Sequence, residues 1–197
     1  MNKLIPNVLL FAVCASAALA AQEAAVPAAA PACWKDDFTG KQAYVVQRVD
    51  NDKAKAAVCR KEYKDGSLIL YYKFGPKCSP KAQGAFLYGI AKPIDLKGGT
   101  ALEIRYRTPV TGMNNIITWS YKDAAGKSAG DWKRLPPSAE WKTVRIEMNK
   151  DGFGGQKKAK PVPAKLVTLD ILTSQKNDDV ERSIEIDYIA VPAPEKK

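Results

Sequence analysis

The sequence predicts an all-β protein, an antiparallel β-sandwich or jelly roll. Three observations carry this prediction. Beyond residue 32, apolar and polar residues alternate in run after run, as in Leu102, Ile104 and Tyr106 against Glu103, Arg105 and Arg107. Turn formers separate the runs, Asp65-Gly66 and Asp123-Ala124-Ala125-Gly126 among them. After the first 20 residues, no long stretch has the 3.6-residue period that demands a helix. A period of two gives strands with one buried face. About nine such strands suit two packed antiparallel sheets.

Taken in order, residues 1–20 read as a secretory signal peptide. Lys3 supplies a positive start, and Leu4 to Val13 is an apolar run too short to span a bilayer. Ala18-Leu19-Ala20 is a small-x-small cleavage site, so the mature chain is expected to begin at Ala21. Cys14 invites a lipid anchor, but Val13 before it fits that processing poorly. Residues 21–32 form an Ala/Pro spacer with no basis for a packed core. Residues 33–192 form the single β-sandwich domain, with predicted strands at Trp34–Phe38, Lys55–Tyr63, Ser67–Phe74, Ala85–Ile90 and Ala101–Thr108. Further strands are predicted at Asn115–Tyr121, Lys142–Met148, Lys165–Leu172 and Ser183–Val191. Residues 193–197 are a charged tail. No run after the signal approaches a membrane span. Trp34 and Trp141 read as core or sheet-corner residues. Tyr71, Tyr72, Tyr88 and Tyr106 read as buried, with bonded hydroxyls.

Composition narrows the function. The net charge of +10 falls by one when Lys3 leaves with the signal. A basic surface favours an acidic polymer or an anionic envelope, and export argues against a nucleic-acid partner. The lysines are scattered, apart from Lys157-Lys158-Ala159-Lys160 and Lys196-Lys197. There is no histidine, which removes histidine triads, His-ligated zinc and imidazole bases together. No glycine-rich phosphate loop and no nucleophile elbow is present. Cys33, Cys59 and Cys78 remain after processing. An oxidising compartment turns a pair of them into a disulfide. Cys59 and Cys78 flank two strands joined at Lys64-Asp65-Gly66, whereas Cys33 sits where it would staple the N-terminus. The pairing stays open on these grounds.

Four segments together carry a family resemblance. They are Trp34-Lys35-Asp36-Asp37-Phe38-Thr39-Gly40, Pro93 to Ile104 (PIDLKGGTALEI), Trp141-Lys142-Thr143-Val144-Arg145-Ile146, and Ile184 to Val191 (IEIDYIAV). In order and spacing the chain resembles bacterial carbohydrate-binding modules of the galactose-binding-like β-sandwich fold. The resemblance implies that the first and last strands pair in one sheet. It implies a structural calcium site at Asp37, Gly40 and Asp187, since calcium takes six to eight oxygen ligands. Thr39 stands where the family usually has a further acidic residue.

The resemblance also implies a sheet face that seats a glycan. Exposed aromatic planes flanked by planar polar groups suit a sugar's apolar and hydroxylated faces. Trp119 and Tyr121 share one strand face, Arg105 and Arg107 another, and Arg145 and Glu147 a third. Thr168 and Asp170 lie on the next strand, and Trp132 is placed to rim the groove. Arg105 and Arg145 are expected to meet hydroxyls or a uronate carboxylate.

The resulting expectation is an exported, periplasmic or secreted, non-catalytic module that binds a polysaccharide or other glycan. The alternative is a structural or protein-interaction module of the cell envelope. A carboxylate-based glycan hydrolase ranks below both, because no spacing singles out an acid and a base.

Overall fold

The computed structural model describes residues 31–39, 44–49, 57–78, 84–89, 93–110, 112–150, 160–175 and 178–194. The expected signal peptide (residues 1–20), residues 21–30 of the expected spacer and the last three residues of the tail lie outside the described residues. Within them all regular structure is β: β1 (Ala32–Asp36), β2 (Tyr44–Val49), β3 (Ala57–Lys64), β4 (Ser67–Phe74), β5 (Gly84–Gly89), β6 (Ile94–Asp95), β7 (Ala101–Arg107), β8 (Met113–Lys122), β9 (Ser128–Leu135), β10 (Lys142–Glu147), β11 (Lys165–Gln175) and β12 (Glu181–Pro192). No helix among the described residues is long and apolar enough to cross a membrane.

The strands form two antiparallel sheets. Sheet A runs β10-β7-β12-β4-β3, with β1 also on β12; sheet B runs β2-β5-β11-β8-β9, with β6 also on β11. The long strand β12 organises sheet A. It pairs with β7 along one edge and with β4, then β1, along the other. The first and last described strands are therefore neighbours, Asp36 opposite Ile189 and Trp34 opposite Val191. An Ala193 N–H to Pro31 carbonyl bond of 2.7 Å extends this pairing.

Alternation decides the core. Leu68, Leu70, Tyr72 and Phe74 of β4 point inward, as do Leu102, Ile104 and Tyr106 of β7 and Ile184, Ile186 and Ile189 of β12. They meet Ile117, Trp119 and Tyr121 of β8 and Leu166, Leu169 and Ile171 of β11. Each fully buried aliphatic side chain contributes about 1.5–3 kcal/mol relative to exposure. The Asp65-Gly66 turn joins β3 to β4 with both residues at positive φ, +51° and +75°, the backbone of a tight hairpin turn. Strands β2, β6 and β9 escape the alternation rule. Adjacent valines break the pattern in β2, and β6 has two residues. β9 has the charged Asp131 and Lys133 on its inward phase, opposite Trp119 and Ile117.

Cys59 and Cys78 are both buried. Cys78 is carried back by a turn in which its N–H donates to the Gly75 carbonyl at 2.9 Å. Burial, and then the neighbouring Cys78, push the Cys59 thiol up to about 11. Cys33 is half-buried on β1, and the structure holds all three as thiols.

Candidate functional site

The outer face of sheet A gathers most of the predicted polar residues. Glu103, Arg105 and Arg107 stand on it because Leu102, Ile104 and Tyr106 take the inner phase of β7. Register then sets the neighbours. Thr143 lies opposite Arg105, Arg145 opposite Glu103, and Glu185 opposite Arg107. Ile69 lies opposite both Glu185 and Glu62, and Tyr71 lies opposite Ser183 and Arg60. A β-bulge between Ile186 and Tyr188 adds Asp187 to this face beside Arg105. Bulges re-aim side chains in this way.

Opposite charges on this face are joined. Arg105 Nη1 donates to Asp187 Oδ2 at 2.6 Å, and Arg107 Nε donates to Glu185 Oε2 at 2.7 Å. Arg60 Nη2 donates to Glu181 Oε1 at 2.8 Å, and the Tyr71 hydroxyl donates to Glu62 Oε2 at 3.1 Å. Hydrogen bonding to Glu181 raises the Arg60 pKa. Burial first, and then the Glu62 carboxylate, raise Tyr71. The Tyr188 hydroxyl donates to Glu103 at 2.6 Å; burial and then that carboxylate push it up to about 12. Arg145 Nε donates to Glu147 Oε1 at 3.0 Å, and Glu147 also accepts from the Thr100 hydroxyl at 3.2 Å.

Trp141, half-buried just before β10, closes this surface. Its indole carries the Arg107 guanidinium at 4.8 Å and the Arg105 guanidinium at 5.3 Å from the ring centroid. Such stacking is worth about 0.5–1 kcal/mol at an exposed site. The carboxylates thus hold the arginines, and the arginines hold the ring. Between Trp141 and Tyr71 runs a groove of about 340 Å³, with Ile69, Arg107 and Glu185 in its lining and Lys64, Asp65 and Ser67 at the hairpin. That volume lies at the small end of ligand sites, which span about 300–1,000 Å³.

The predicted site residues are divided by this geometry. Arg107 lines the groove, and Arg105 lies beside it under Trp141. Arg145 and Glu147 share the face but bond to each other towards the opposite end of β7. Trp119 and Tyr121 do not belong to an open face. Both are on the core side of β8, in the other sheet, with Trp119 only 2% exposed. The Trp119 indole N–H donates to the Met148 carbonyl at 3.2 Å, and the Tyr121 hydroxyl donates to the Pro161 carbonyl at 3.0 Å. Trp132 stands opposite Thr118 on the outer face of sheet B and cannot rim the groove. Thr118 there donates to Asp170 Oδ2 at 3.0 Å. Trp141, expected in the core or a corner, and Tyr71, expected to be buried, are instead the groove's aromatic walls. The signal for both was parity. Trp141 is in phase with Thr143 and Arg145, and Tyr71 is out of phase with Leu70 and Tyr72.

The calcium expectation does not fit the residues present. Asp37 is exposed, and its Oδ1 accepts from its own turn, the Thr39 hydroxyl at 2.6 Å and N–H at 3.3 Å. Those bonds hold its carboxyl below the usual value. Asp187 is engaged by Arg105, and a guanidinium on that oxygen competes with a cation there. Gly40 lies outside the described residues. Among the described residues no three His, Cys, Asp or Glu side chains converge as a metal-ligand group.

Fold and site together define an antiparallel two-sheet β-sandwich with a grooved, ion-paired outer face. No family model matches the chain, and no curated protein does. Similar solved structures include the family 11 carbohydrate-binding module of the cellulosomal cellulase Lic26A-Cel5E of Clostridium thermocellum. It is 11% identical over 82% of this chain and 94% of that one, with a TM-score of 0.49. The module TmCBM61 in complex with β-1,4-galactotriose is 12% identical over 77% and 90%, at 0.39. The Endo-D glycoside hydrolase domain of Streptococcus pneumoniae R6 is 11% identical over 79% of this chain and 22% of that one, at 0.49. At these identities and scores, none of them transfers a residue or a ligand to this chain.

Proposed function

We propose that this chain is an exported, non-catalytic glycan-binding module that seats a sugar in the groove between Trp141 and Tyr71. The observation that carries the reading is Trp141, an indole braced by two carboxylate-held arginines at the rim of a groove. A braced ring loses little freedom on binding, and a sugar's C–H face fits an aromatic plane. Arg107 and Glu185 border the groove with donors and acceptors for the hydroxyls between those faces. Glu185 and Asp187 serve as acceptors for guanidinium donors, not as a facing acid and base, which supports binding without hydrolysis.

The ion-pair lattice on the same face favours a second reading, an envelope interaction module with no small ligand. One pair of variants separates the two. Titrated with β-1,4-galactan and a mixed-linkage β-glucan, the parent is expected to bind at least one. Trp141→Ala is expected to lose about 1–3 kcal/mol of that affinity, the range of a well-placed contact, with stability lowered by no more than about 2 kcal/mol, the worth of its two guanidinium contacts. Trp119→Ala is expected to lose about 3–5 kcal/mol of stability. Absence of binding across a wider panel of polysaccharides, with an intact fold, overturns the glycan reading and leaves the interaction module.

A further inference from the structure

We infer that the groove selects an uncharged glycan and rejects a uronate, despite the strongly basic chain; the inference rests on the glycan reading above. The charged residues lining the groove are Lys64, Asp65, Arg107 and Glu185, two of each sign. Arg107 is not an open fork. Its Nε and Nη2 both meet Glu185 Oε2, at 2.7 and 2.6 Å, and Glu185 is the less exposed partner. Arg105, the next guanidinium beneath Trp141, is likewise bound by Asp187 at 2.6 Å. A sugar carboxylate that took a two-pronged seat on Arg107 would have to displace Glu185, leaving a part-buried carboxylate without its cation. That exchange is unfavourable, because Glu185 is the better buried partner and would lose its cation while regaining only part of its hydration. A sugar carboxylate that took only the outward N–H groups would lie beside the Glu185 charge, a repulsion a hydroxyl does not meet, while Lys64 at the hairpin is offset by Asp65. Hydroxyls need no displacement. They donate to the remaining lone pairs of Glu185 and accept from Arg107 N–H groups that point away from it. The lining of the groove is therefore charge-balanced, and the excess positive charge of the chain lies outside it.

The test is affinity electrophoresis of the full chain in gels carrying neutral polysaccharides, and in gels carrying the polyuronates made from them by oxidation at C6. The expected result is retardation by at least one neutral polymer, about tenfold weaker in its oxidised form, and little changed between about 0.05 and 0.5 M NaCl. Equal or stronger, salt-sensitive retardation by the oxidised form overturns the neutral selection and leaves the glycan reading standing. Retardation by neither form overturns the glycan reading itself. A second variant tests the cause. Glu185→Gln frees the Arg107 fork and is expected to raise affinity for the polyuronate several-fold while circular dichroism stays unchanged. A Glu185→Gln variant with no such gain overturns the role assigned to the pair.

Discussion

One residue of phase separates the two tryptophans that matter most. Trp119 shares the inward phase of Ile117 and Tyr121, and its indole N–H is satisfied by a carbonyl inside the fold. Trp141 shares the outward phase of Thr143 and Arg145, and its ring lies against guanidinium groups. Phase alone was legible in the sequence. The partner that makes Trp141 a braced platform was not, because Glu185 is brought to Arg107 only by pairing across β12. Asp36 shows the same limit. It entered the sequence reading only as a member of the segment Trp34 to Gly40, yet it is buried opposite Ile189 while Asp37 is exposed. Burial raises the Asp36 carboxyl above its ordinary value, against the opposing hydrogen bond from the Phe38 N–H, and Asp37 raises it further. A raised carboxyl favours the protonated form in the folded state. Its folded form therefore loses stability as pH rises through the ordinary aspartate value to the raised one, and is flat above. Asp36→Asn keeps an acceptor for Phe38 and removes the charge. Thermal melts are expected to show the variant more stable than the parent at pH 7, with the difference vanishing below about pH 4. A variant less stable at both pH values would mean that the carboxylate itself holds the turn.

At the scale of elements, the strands with clean alternation were the legible ones, and β9 shows why the others were not. Its inward positions are Ala129, Asp131, Lys133 and Leu135, so no apolar stripe marks it. Its backbone also approaches β8 closely at Gly130, where a Cβ would lie 2.5 Å from the Trp119 carbonyl oxygen. Such a strand is fixed by what covers it. Lys160, at the end of the crossover between β10 and β11, reaches Asp131, and both side chains are nearly buried. The Tyr121 hydroxyl anchors the same crossover at Pro161, and an Ala164 N–H to Lys122 carbonyl bond of 2.8 Å continues it. Lys160, the last residue of the basic run, is thus an internal pin. Lys160→Met takes this cation from the nearly buried Asp131 carboxylate, which keeps the Trp132 N–H, and a loss of about 1–3 kcal/mol is expected in urea denaturation. The double variant Lys160→Met/Asp131→Leu is expected to recover most of that loss. An unchanged midpoint for the single variant would show that the pin contributes nothing.

For the whole molecule, the two sheets divide the work. Sheet B supplies Trp119 and Tyr121 to the core, and sheet A carries the paired arginines and the groove on its outside. The class of fold followed from alternation and turns. The choice of face did not, because parity gives two outer faces and only the strand order says which residues share one. Chemistry outside the fold should leave its mark on the same molecule. If the leader directs export, the mature protein meets an oxidising environment with Cys33 on β1 and Cys59 and Cys78 buried together behind the β3–β4 hairpin. A bridge between the latter two closes a loop whose entropic contribution is about 3 kcal/mol, and needs only a small-molecule disulfide as oxidant. The intact mass of the exported protein is expected to match a chain beginning at Ala21 and lighter by two hydrogens. Thiol titration after denaturation without reductant is expected to find one reactive group, Cys33. A mass that includes residues 1–20 would refute processing. Three reactive thiols would refute the bridge, and a peptide map joining Cys33 to either partner would move the staple from the hairpin to the first strand.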